Sequence, residues 1–174
     1  MARILFVMNV FPGLGGVESV TENIIGDLSR DNEIFILAYS ASKGFALPAG
    51  VTEAFYFENR VEEDNIARYN GIIASCHITH VINQGIYPFF TGIVFNPKRD
   101  RSVKIISVLH GMPGYEANDY WCQDHIRKAG PLKKAERKLL YFLGMNRGYN
   151  RYIRRYREGC IKALEEGDKV VLLC

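Results

Sequence analysis

The sequence predicts an α/β fold, a doubly wound, mainly parallel sheet with helices on both faces. Three observations carry this prediction. Short apolar runs recur along the chain at Ile4–Met8, Glu33–Tyr39, Ile78–Asn83 and Ser102–Leu109, each about the length of a strand buried on both faces. Segments with apolar residues at helical spacing lie between them, the alternation expected of a parallel sheet. The first run also breaks directly into a glycine-rich turn and a helix pattern. At 174 residues and 48% hydrophobic composition, the chain is the size of one ordinary domain, enough to bury roughly 70% of its unfolded surface.

The opening unit is Ile4–Met8, then Asn9-Val10-Phe11-Pro12-Gly13-Leu14-Gly15-Gly16-Val17-Glu18-Ser19, then Val20, Ile24, Ile25 and Leu28 continuing the helical spacing begun by Val17. A helix N-terminus offers unpaired N–H groups and about half a positive charge, which attract anions such as phosphate. Glycine removes the Cβ that would hold a ligand away. Gly15 and Gly16 are therefore candidate substrate-binding residues, the alternative being a turn that serves only the chain path. Glu33–Tyr39 follows as a second strand. A dinucleotide site asks for G-x-G-x-x-G and, about 20 residues on, an acid for the ribose. Here Glu18 stands in the third glycine position and no acid ends the second strand, which argues against NAD.

Lys43–Gly50 reads as a loop, Val51–Phe57 as a short strand, and Glu62–Cys76 as a helix with Ile66, Tyr69, Ile72 and Ile73 on one side. The strand Ile78–Asn83 brings Asn83 and Gln84 to the sheet end where α/β folds bind ligands. Asn83 is a candidate substrate contact or a cap for the next segment. An aromatic helix is expected over Gly85–Phe95, before the Asn96-Pro97 break. Ser102–Leu109 is a further strand, and it delivers His110-Gly111 to the same sheet edge as the glycine turn. His110 can donate or accept a hydrogen bond near pH 7 and is the candidate catalytic residue. Tyr115–Gly130 lacks periodicity and reads as a lid or acceptor-contacting loop, with Tyr115 and Glu116 as candidate contacts. These elements together describe a Rossmann-like fold.

The net charge of +3 conceals an asymmetry. Between Ile126 and Lys162 there are twelve Lys and Arg against two acids, a local balance of +10 that leaves −7 for the remainder. Helices are expected near Leu132–Leu143 and Tyr149–Glu165, separated around Gly144–Gly148. Arg147, Arg151, Arg154 and Arg155 are candidate contacts to an anionic membrane surface, the alternative being an ordinary solvated face. A closing strand, Val170–Cys174, follows Gly167-Asp168-Lys169.

Cys76, Cys122, Cys160 and Cys174 form no C-x-x-C pair, so no disulfide scaffold or zinc site is expected. Cys76-His77-Ile78-Thr79-His80 spans a helix end and a strand start, where neighbouring side chains diverge, and no metal is assigned there. The opening apolar run is interrupted too soon by Pro12 and Gly13 for a signal peptide, and no run approaches the ~20 apolar residues of a membrane span. The expected location is the cytoplasm, at the inner face of the membrane if the basic helices bind lipid.

The opening strand with Gly15-Gly16-Val17-Glu18, the strand-end His110-Gly111 and the closing Gly167-Asp168-Lys169-Val170-Val171 together resemble the N-terminal half of retaining, nucleotide-sugar-dependent glycosyltransferases of the two-domain GT-B architecture, the glycosyltransferase group 1 family. The resemblance spans nearly the whole chain. It implies that Gly15 and Gly16 approach the donor diphosphate or the acceptor, and that His110 approaches the transferred sugar. It implies no cofactor beyond a nucleoside-diphosphate sugar as donor, a glycan or lipid-linked acceptor, and a C-terminal domain carrying E-x7-E that this sequence lacks. The expected function is the acceptor-side domain of an enzyme of polysaccharide or glycolipid synthesis, inactive alone. The alternatives are a stand-alone Rossmann-like nucleotide-binding enzyme and a basic nucleic-acid-binding module; no nucleic-acid motif is present, and nucleic acid is not the expected partner.

Overall fold

Strand β1 (Arg3–Val10) lies inside the sheet because Ile4, Leu5, Phe6, Val7 and Met8 are all apolar and all buried, leaving neither face for water. In the computed structural model, which describes residues 1–59, 61–85, 88–110 and 128–173, β1 pairs in parallel with β2 (Glu33–Ser40) on one side and β4 (His80–Asn83) on the other. β3 (Val51–Tyr56) lies outside β2, and β5 (Lys104–Leu109) and then β6 (Lys169–Leu172) lie outside β4. The described sheet has six strands in the order β3-β2-β1-β4-β5-β6, with every pairing parallel. The winding direction reverses between β1 and β4, the switch point at which such sheets open a crevice beyond the strand carboxyl ends.

Alternation along the strands supplies two cores. Phe6, Met8, Ile36, Ala38, Ile82 and Val108 share one face with Ile25 of helix α1 (Gly16–Leu28). Leu5, Val7, Leu37, Val81, Ile105 and Leu109 form the other with Tyr69, Ile72 and Ile73 of α2 (Glu62–Ser75), Phe90, Ile93 and Val94 of α3 (Pro88–Val94), and Ala163 of α5 (Arg147–Glu166). Helices thus cover both faces. Helix α4 (Pro131–Phe142) contributes no buried residue.

Several boundaries move from the sequence expectation for identifiable reasons. β4 begins at His80 rather than Ile78, although Thr79 N–H already donates to Arg3 carbonyl at 2.9 Å. The aromatic helix is shorter than Gly85–Phe95: it begins at Pro88, a residue suited to the first helical turn, and ends before Asn96, whose side chain donates to Ile93 carbonyl at 2.7 Å and accepts from Lys98 N–H at 2.9 Å. Gly144, with φ of +66°, follows the end of α4 in the left-handed conformation that favours glycine. Asn146 then caps α5 by accepting from Tyr149 N–H at 3.0 Å, so that helix starts two residues before Tyr149.

The junction between α5 and β6 is held by side chains far apart in sequence. Asp168 accepts from Ile105 N–H at 2.8 Å and pairs with Lys104 at 3.0 Å. Hydrogen bonding from the Ile105 backbone, then from Lys104, lowers the Asp168 pKa below the usual carboxylate value. The buried Arg99 guanidinium meets Glu166 at 2.6 Å. Gly167 passes so close to Ala163 that an added Cβ would strike its carbonyl oxygen. Gly167-Asp168 is thereby a structural clasp that seats the last described strand against β5.

Candidate functional site

The turn after β1 is tied to the end of β2. Phe11 N–H donates to Ser40 carbonyl at 2.9 Å, Ser42 N–H donates to Pro12 carbonyl at 2.8 Å, and the Phe11–Pro12 peptide is cis. This path delivers Gly15 as the N-cap of α1, in extended backbone and without a side-chain cap. Gly15 carbonyl accepts from Ser19 N–H at 3.0 Å, so the N–H groups of Gly16, Val17 and Glu18 have no acceptor within the helix. The two glycines differ in what surrounds them. A Cβ on Gly15 would collide with the Glu18 carboxylate, whereas a Cβ on Gly16 would meet nothing within 4 Å.

A cavity of about 120 Å³ opens at the switch point. β1 contributes Met8 and Asn9, α1 contributes Val17 and Glu18, the end of β4 contributes Gln84 and Gly85, α3 contributes Phe90, and β5 contributes Val108 and, just beyond it, His110. The volume is well below the roughly 300–1,000 Å³ of a pocket enclosing a drug-sized ligand. It suits one small polar group rather than a whole nucleotide sugar.

His110 and Gln84 form the polar centre of this cavity, with His110 Nε2 at 2.5 Å from Gln84 Oε1. An amide oxygen only accepts, so Nε2 carries the ring proton and donates it, and in the neutral ring Nδ1 is left as an acceptor. Burial pushes the His110 pKa below its ordinary value, and the Glu18 carboxylate facing it pulls the other way without cancelling the effect. The ring is therefore held neutral at pH 7. Gln84 is 4% exposed, and its amide nitrogen has no hydrogen-bond partner among the described residues. Glu18 is the one charged residue among the described lining residues at that pH.

Asn83 and Ser107 occupy a different position. They are paired in register across β4 and β5, in the row that includes Val7 and Val170. That row faces α2, α3 and α5, opposite to the face of Ile82 and Val108. Both residues are fully buried, and neither side chain has a hydrogen-bond partner among the described residues. Asn83 does not line the cavity; its neighbour Gln84 does. Among the described residues the Asn83 side chain caps nothing.

Gly15 and Gly16 stand at the exposed helix end beside the cavity, and His110 lies within it. Gly111, Tyr115 and Glu116, together with the expected lid, lie outside the described residues. Arg147, Arg151, Arg154 and Arg155 are exposed on α5 and are not among the lining residues. The hydrogen bond between Gln84 and His110 had no sequence signal beyond both residues following strands. Ser107 carried none, because a serine within an apolar strand gains meaning only from the residue beside it.

No protein-family model matches the chain, and no curated protein matches it. Among solved structures, the chain is similar to dTDP-glucose 4,6-dehydratase from Bacillus anthracis in complex with NAD, with 13% sequence identity and a TM-score of 0.42. The likeness covers 63% of this chain and 38% of that one.

Proposed function

We propose that this chain is the acceptor-side, N-terminal domain of a nucleotide-sugar-dependent glycosyltransferase of the two-domain GT-B kind, acting in polysaccharide or glycolipid synthesis. The observation that carries the reading is the polarity of the cavity. The cavity is lined by neutral His110, which keeps a lone pair, by the Glu18 carboxylate and by Gln84, whose amide nitrogen is buried in the wall without a partner among the described residues, and there is no cation among its described lining residues. A hydroxyl both donates and accepts, and so complements Gln84 and His110 together. A diphosphate would meet Glu18 uncompensated. The cavity therefore favours a sugar or acceptor hydroxyl over the charged part of the donor.

In this reading His110 and Gln84 orient a sugar hydroxyl at the switch point. The open backbone at Gly16 lets the donor or acceptor approach the N-terminus of α1; Gly111, Tyr115 and Glu116, outside the described residues, are further candidate substrate contacts. Charge developing on the leaving diphosphate needs stabilisation from donors held in place beforehand. That role falls to a second α/β domain, which the reading requires. A dinucleotide enzyme has the same strand order in its favour. Glu18 in the third glycine position and Ser40 at the end of β2, where a ribose-binding acid would stand, count against it.

The test uses the natural polypeptide together with its second domain, assayed for transfer of labelled sugar from a panel of UDP-, GDP- and dTDP-hexoses. His110→Ala and Gln84→Ala are each expected to lower transfer by about tenfold or more, as loss of a substrate hydrogen bond would. Unchanged transfer in both variants refutes the assignment. Saturable micromolar binding of NADH by the 174-residue chain would replace it with the dinucleotide reading.

A further inference from the structure

We propose that α4 is a membrane-docking helix that lays an outward-facing apolar side into the headgroup region of an anionic lipid surface. At the helical repeat, Leu132, Ala135, Leu139, Phe142 and Leu143 fall within an arc of about 100°. That arc faces water: Leu132 is 88% exposed, Leu139 59%, Phe142 87% and Leu143 55%, and Met145 just beyond is 64% exposed. The less exposed positions, Lys134, Arg137, Leu140 and Tyr141, lie on the other side. Tyr141 meets Tyr149 of α5 edge-on at 4.8 Å between ring centres. The helix thus meets α5 through Tyr141 and presents its apolar side outward, the reverse of an ordinary surface helix.

The charge of the helix selects the occupant. Lys138 is exposed beside one edge of the arc and Glu136 beside the other, with Lys133 farther round; α4 as a whole carries four Lys and Arg against one acid, and long basic side chains can keep their charged ends at headgroup level while the apolar side chains insert. Arg147, Arg151, Arg154 and Arg155 extend the exposed positive charge along α5. An anionic bilayer offers an apolar interior beneath a negative surface and matches both features at once. No described helix is long and apolar enough to cross a membrane, so the contact is peripheral. α4 contributes nothing to the cavity, so this inference does not depend on the carbohydrate reading, and either can fail while the other stands.

The 174-residue chain is sedimented with vesicles of phosphatidylcholine alone and of an equal mixture of phosphatidylcholine and phosphatidylglycerol, at low and high salt. Binding to the anionic vesicles is expected, weakening as salt rises. Lys133→Gln and Lys138→Gln should each lower the partition coefficient about fivefold. The double variant Leu139→Gln with Phe142→Gln should lower it on the order of tenfold or more, with an unchanged melting curve because both side chains are already exposed. No binding by the wild-type chain at low salt overturns the proposal. So does binding unaffected by the double variant, which would reduce the contact to surface charge. Wild-type self-association that the same variant abolishes also overturns it, by assigning the face to a second copy.

Discussion

His110 Nε2 donates to Gln84 Oε1 at 2.5 Å, joining the residue after β5 to the residue after β4 at the edge where the sheet changes winding direction. This bond selects the ring tautomer and leaves one acceptor on His110 and, among the described residues, both N–H donors of the Gln84 amide unpaired. The pair accounts for the hydroxyl-like polarity of the cavity. It also couples the charge state of His110 to the integrity of the site, because the pKa-lowering effect of burial requires a ring held in place.

That coupling predicts a pH dependence. Burial lowers the folded-state pKa of His110, so below the ordinary imidazole pKa of about 6.5 the unfolded chain binds more protons than the folded one. The resulting stability is fully present above pH ~6.5 and is lost as pH falls through the lowered folded value. The urea midpoint should therefore drop between pH 7 and pH 5.5, and His110→Gln should flatten that part of the profile. An NMR titration placing His110 above the ordinary value would contradict the predicted direction.

The buried hydroxyl of Ser107 has no partner among the described residues, and an unpaired polar group in the interior is unfavourable. Ser107→Ala is expected to leave stability unchanged or raise it by up to about 1 kcal/mol in urea unfolding. A loss larger than about 1 kcal/mol would mean that the hydroxyl is satisfied in solution.

Two glycines should respond in opposite ways. Gly167→Ala places a Cβ against Ala163 carbonyl, and overpacking of this kind costs about 1–3 kcal/mol. Gly16→Ala meets no obstacle, and by restricting the unfolded chain it should be neutral or stabilising by up to about 1 kcal/mol. Thermal melts of the two variants check the contrast. Equal loss in both would refute the view that Gly16 is free of packing demands within the protein.

The legible parts of this protein were those with local periodicity. Ile4–Met8, Ile34–Ala38 and Ile105–Leu109 read as strands because nearly every position in them is buried by one face or the other. Positions 39, 83 and 110 could be placed at a common sheet edge because parallel strands all end on one side. Other features were illegible because they depend on which strands lie next to each other. The register that sets Asn83 beside Ser107 and the bond between Gln84 and His110 are relations between elements. The basic region shows the same limit. Its composition suggested a lipid contact through the arginines of α5, but the orientation of α4 exposes the apolar arc that makes insertion physically reasonable.

By itself the sequence determined the α/β class, the helices on both faces, the glycine turn at the start of α1 and the position of His110 at the end of β5. Each follows from residues within one turn or one strand of each other. Only the tertiary structure decided that Gln84 rather than Asn83 lines the cavity, that Gly15 must accommodate Glu18 while Gly16 is open, and that α4 turns its apolar side outward. The physical reason is that alternation along a strand assigns neighbours to opposite faces, but only packing between distant elements decides which face is covered, open or solvent-exposed.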